Sequence, residues 1–79
     1  MAVDQRTPAD RAYEAVRKLK PGTWESVEAL AVFAVHCSSH PGSREALASA
    51  EAAAGRLKVG TWESVRALAW LEKATTTLR

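Results

Sequence analysis

The residues best equipped for chemistry stand together in "HCSSH", where His36, Cys37 and His40 are the only histidines and the only cysteine in the chain. On a continuing helix His36 and His40 would share a face at i, i+4, a spacing that can hold zinc or another transition metal. A closed structural site needs four ligands, so a metal here would require a second copy to complete it. The simpler expectation is a polar helix end, with the two imidazoles at the negative pole of the helix dipole. Cys37 beside His36 could suggest a thiolate nucleophile. Adjacent helical residues, however, point about 100° apart, which places His36 badly as a base, although His40 in the turn is less restricted. With no oxyanion-stabilising feature and no pocket signature, the chain reads as non-enzymatic and cofactor-free. Cys37 reads as a small apolar residue.

A second candidate is the cation set Arg17, Lys18, Lys20, Arg56 and Lys58. If the chain is internally symmetric, these five could converge at one end and bind phosphate, nucleic acid or an acidic partner. They could equally complement helix C-termini. Eleven Lys and Arg against nine Asp and Glu give a net charge of only +2, Glu25 and Glu63 lie close by, and no helix-turn-helix pattern, aromatic stacking series or basic tail accompanies them. A small nucleic-acid-binding regulator is therefore the second reading of function. Membrane association is not expected. Arg11, Arg17 and Lys18 oppose an apolar side of Tyr13, Val16, Leu19 and alanines, too weak to anchor alone, and no run reaches the eighteen apolar residues of a span. The charged N-terminus, "MAVDQRTPAD", lacks a signal-peptide core. Together with the unpaired cysteine it points to a cytoplasmic protein. Abundant alanine without isoleucine is compatible with a high-GC bacterial genome.

The elements that must position these groups are announced by a repeat. "GTWESV" occurs at 22–27 and 60–65, and an offset of 38 aligns "KPGTWESVEALA" (20–31) with "KVGTWESVRALA" (58–69), identical at ten of twelve positions. Upstream the match thins to Ala12/Ala50, Ala15/Ala53, Lys18/Arg56 and Leu19/Leu57, at helical spacing. Each repeat reads as helix, tight turn, helix. Gly22 and Gly60 are expected in the left-handed conformation that closes the preceding helix, and Thr23 and Thr61 as N-caps of the next. Glu25 and Glu63 suit the positive end of the dipole. Trp24 and Trp62 fall at the first helical position, from where each indole could fold over the previous helix near Leu19 or Leu57.

The remaining boundaries follow the same signals. Thr7, Pro8 and Asp10 begin the first helix, which should run to about Lys20. The second should cover Thr23 to about Ser38. "SHPGS" is a turn, with Pro41 and Gly42 as breakers and Ser43 as the cap of a third helix over roughly 44–58, which Gly55 could end early. The fourth should cover Thr61 to about Thr77. No strand alternation survives anywhere. The expectation is a single all-α domain: two helical hairpins (7–40 and 43–79) related by an approximate two-fold, closing into a four-helix bundle, with residues 1–6 disordered. Open stacking of the repeats is ranked lower, because such arrays usually need three or more units.

Helices two and four carry more apolar surface than one stripe needs. At about 100° per residue, Trp24, Val27, Leu30, Ala31 and Ala34 share one face expected in the core, as do Trp62, Val65, Leu68 and Ala69, while "ALAVFAV" (29–35) and "ALAWL" (67–71) place Val32 and Trp70 about 140° from Val27 and Val65. Either both helices are central and covered on every side, or Val32, Phe33, Trp70 and Leu71 form an exposed patch that a second copy or another protein covers. The latter makes the chain a protein-interaction module, adaptor or regulator, expected to be a homodimer with Trp70 as its anchor.

Overall fold

The computed structural model describes residues 6–79. These form four helices, α1 (Pro8–Arg17), α2 (Trp24–His36), α3 (Ser43–Ala54) and α4 (Trp62–Leu78). There is no strand among the described residues, and the fold is an all-α four-helix bundle. The disorder expected at residues 1–5 lies outside the described residues, while Arg6 pairs with Glu14. Among the described residues no helix is long and apolar enough to cross a membrane.

Reciprocal caps set three of the four helix starts. At α1 the Thr7 hydroxyl accepts from the Asp10 N–H, and the Thr7 N–H donates to the Asp10 carboxylate. At α2 and α4 the same exchange is made by Thr23 with Ser26 and by Thr61 with Ser64. The serine of GTWESV, and not its glutamate, thus completes the cap. Ser26 and Ser64 are buried, and each hydroxyl donates onward to its threonine carbonyl, at 2.8 and 2.6 Å.

The glycines behave partly as expected. Gly22 (φ 79°) and Gly60 (φ 128°) do adopt the left-handed region. The helices before them, however, have already ended, at Arg17 and at Ala54 with Gly55 as its cap. These glycines therefore turn the chain into the next threonine and do not close the previous helix. The start of α3 also differs: Gly42 is the cap residue, and Ser43 lies inside the helix with its hydroxyl donating to the Ser38 carbonyl.

Packing is centred on α2, which contacts the other three helices, while the backbone of α1 comes close to that of α2 alone. A two-fold exchanging the hairpins would map the extensive α2–α3 contact onto an α4–α1 contact, and those two helices do not meet. The expected two-fold is therefore not in the packing. Instead α2 and α4 lie side by side and parallel. The Trp24 indole N–H reaches the Lys58 carbonyl at one end (2.9 Å), Glu28 pairs with Arg66 in the middle (2.8 Å), and His36 lies beside Trp70 at the other (ring centroids 5.7 Å). This is the relation of neighbouring units in a stack.

Alanine makes such close contact possible. One core cluster gathers Ala31, Ala34, Leu47 and Ala74, and the other Val27, Ala50 and Ala67, with Trp24, Leu57 and Leu71 packed around the second. Small side chains let helix backbones approach, so these clusters exclude water with few large residues.

Candidate functional site

The repeat gives each position in α4 an internal reference in α2, and the two differ most where the apolar residues are largest. Val27 and Ala31 are fully buried beneath α3 and α4, whereas their counterparts are not: Val65 is 55% exposed and Ala69 is also exposed. Trp24 is half-buried and hydrogen-bonded, whereas Trp62 is 68% exposed. Trp62, Val65, Ala69 and Trp70 line one shallow recess, flanked by Arg66 and Lys73. The expectation that each indole locks its own hairpin is thus corrected. Trp24 locks one repeat to the other through Lys58, whereas Trp62 faces outward.

A second apolar concavity, of about 470 Å³, runs between α1 and α2, and its lining includes Glu28 and His36, which also meet α4. Ala12, Val16, Ala29, Val32 and Phe33 contribute its apolar lining, and Glu25 and Glu28 form its acidic edge.

The four expected interface residues therefore divide. Val32 is half-buried in the α1–α2 groove. Trp70 is half-buried too, one side packed on the first core cluster and the other in the α4 recess. Phe33 is only 4% exposed, because Tyr13 stacks on it (5.3 Å between centroids) and His40 meets it edge-on (5.4 Å). Leu71 bridges both core clusters. Trp62 and Val65, assigned to the core from the helical wheel, are the most exposed large residues of α4. The difference in coverage between two nearly identical segments lies in the packing: α3 and α4 cover this face of α2, whereas the equivalent face of α4 is open among the described residues.

The residues of "HCSSH" separate. His40 folds toward α1, where its Nε2 lies 2.7 Å from the Asp10 carboxylate. The Gly42 N–H donates to its Nδ1 (2.9 Å), which leaves the ring proton on Nε2, facing Asp10. His36 turns to the opposite side against Trp70, and Cys37 lies at the end of the α1–α2 groove. Among the described residues no group of three or more His, Cys, Asp or Glu gathers as a metal centre. His40 is instead the pin of a joint. Around it, Asp10 is held below its ordinary pKa, first by the His40 hydrogen bond and then by those of Thr7. Tyr13 is raised, by burial first and then by the nearby Glu45 carboxylate.

The five cations are mostly engaged locally. Arg17 lies over the Tyr13 ring (5.3 Å), Lys18 pairs with Glu14 (3.0 Å), and Arg56 donates to the Ala52 carbonyl. Arg17 and Arg56 line one groove between α1 and α3, but Lys18, Lys20 and Lys58 do not join them there, and Glu45 shares the groove.

No match was found. Neither protein-family models, curated proteins nor solved structures resemble this chain at a significant level, so its function must be argued from its own residues.

Proposed function

We propose that this chain is a small non-enzymatic protein-interaction module that self-associates through an apolar helix face, in an adaptor or regulatory capacity. The observation that carries this reading is the exposure of Trp62 and Val65 on α4, at positions whose counterparts in α2 are sheltered or fully buried. The same residue types in the same local sequence form a core contact in one half of the molecule and lie open in the other. Adjacent exposed Trp and Val on a small domain mark an interaction surface, and tryptophan is enriched among the residues that dominate such contacts. The anchor of the surface moves from Trp70, expected from the sequence, to Trp62.

Sedimentation velocity over a wide concentration range tests the reading. Wild-type protein should show a concentration-dependent rise in mass, and Trp62→Ala should weaken it by roughly tenfold or more, the effect of removing a principal contact. A wild type that stays monomeric at high concentration, with Trp62 fluorescence as open to quencher as the free amino acid, removes self-association as its role.

A further inference from the structure

From the repeat and its packing we infer that the partner of the α4 face is the α1–α2 groove of a second copy, which docks head to tail and repeats between chains the contact already made within one. The inference rests on the self-association just proposed and specifies its geometry.

Inside the chain, Trp24, Val27 and Ala31 of the first repeat are covered by a surface of the second that includes Ala50, Ala54, Ala67 and Leu71. Shifting both sets by the repeat period of 38 gives the open α4 residues Trp62, Val65 and Ala69 on one side, and Ala12, Val16, Ala29 and Phe33 on the other. The first set lines the α4 recess and the second lines the α1–α2 groove. Two apolar surfaces left open among the described residues are thus, in large part, the repeat-equivalents of the two halves of an interface that is already formed.

Charge agrees with this assignment. The groove is edged by Glu25 and Glu28 and the α4 recess by Arg66 and Lys73, and the position that pairs opposite charges in this register is the central one, since Glu25 falls opposite Glu63 and Lys73 opposite Val35. Glu28 and Arg66 occupy equivalent positions and pair within the chain, so the next junction again sets Arg66 toward Glu28, now of the following copy. At the far end, the contacting alanines Ala34 and Ala74 become Glu72 and His36 on the shift, a carboxylate facing an imidazole. At the near end, Trp24 donates to the Lys58 carbonyl. By equivalence Trp62 donates to the Lys20 carbonyl of the next copy. A contact between two different surfaces is heterologous, and it propagates unless its rotation closes a ring.

Two single-face variants test the arrangement. Val65→Glu disables the α4 face and Ala29→Glu the groove. Each should weaken association by roughly a hundredfold or more, as a charge placed in the centre of an apolar contact does, and run as a monomer. Mixed in equal amounts, they retain one intact face each, so they should form a 1:1 heterodimer and nothing larger. Circular dichroism and unfolding midpoints matching wild type establish that each is folded; if Ala29→Glu is not, Ala12→Glu takes its place. Association that survives the groove variants but not Val65→Glu overturns the head-to-tail arrangement and leaves the apolar-face reading standing. Failure of the folded variants to pair when mixed also overturns it, and a monomeric wild type overturns both.

Discussion

At the scale of single residues, the joint between α1 and the α2–α3 turn depends on one missing atom. A Cβ built on Gly42 would stand 2.5 Å from the Tyr13 ring, and the φ of Gly42 is ordinary (−84°), so glycine is required here for space and not for backbone freedom. Gly42→Ala should destabilise the protein by about 1–3 kcal/mol, the usual cost of forcing atoms into a packed site, measured by urea unfolding. Tyr13→Leu in the same background should recover part of the loss. The His40–Asp10 contact gives the joint a pH dependence. Because Asp10 is lowered when folded, the unfolded chain binds the extra proton between the two values. The contribution is therefore complete above the ordinary carboxylate range and is lost as pH falls through the folded value. Wild type should lose stability between about pH 5 and pH 3 more steeply than Asp10→Asn does. Tyr13, raised when folded, has the opposite sign: its contribution is full below about pH 10 and declines as the pH climbs. The sequence places Gly42 in a turn correctly but assigns it the role of a breaker, since a close approach from a residue 29 positions away leaves no local signal.

At the scale of elements, much was legible because helix starts are local chemistry. Thr7, Thr23 and Thr61 cap as their positions predict, and four helices stand where periodicity places them. The helix ends were less legible. The basic runs after Arg17 and Ala54 continue the helical pattern, but the chain leaves the helix before them, at Lys18 and Gly55. Ser26 and Ser64 were passed over because glutamate is the commoner third residue of a capping box. Their acceptor loads differ: the Ser64 hydroxyl receives the N–H groups of both Gly60 and Thr61, at 3.1 Å each, whereas Ser26 receives only that of Thr23 at 3.3 Å. Ser64→Ala should therefore cost more than Ser26→Ala, about 2 against about 1 kcal/mol, by thermal or urea unfolding. Ser64→Thr, which keeps the hydroxyl, should recover part of the difference.

At the scale of the whole molecule, the number and type of elements were readable and their arrangement was not. Ten identities in twelve positions suggest symmetric halves, yet α1 contributes no fully buried residue while α3 contributes four. Equal sequences have unequal surroundings because α2 packs against three helices and α4 against two. The same reason explains why Val65 was assigned to the core and is open. Two further consequences can be measured. Native-state hydrogen exchange should show α1 amides opening at a lower free energy than those of α2, which is packed by three neighbours. Trp24→Phe, which keeps an aromatic ring but removes the donor to Lys58, should cost about 1 kcal/mol, whereas Trp62→Phe should leave the stability of the isolated chain unchanged.

The ion pair between Glu28 and Arg66 carries one more implication, for how a duplicated gene can persist. Where a segment lies alongside its own duplicate in the same direction, each residue tends to face its twin, and verbatim copies would oppose carboxylate to carboxylate or guanidinium to guanidinium at this site. A synthetic tandem of either half alone would inherit that repulsion, whereas exchanging the two residues would preserve the attraction. Divergence at this pair thus replaces a like-charge contact by an attraction, a modest gain for a pair this exposed.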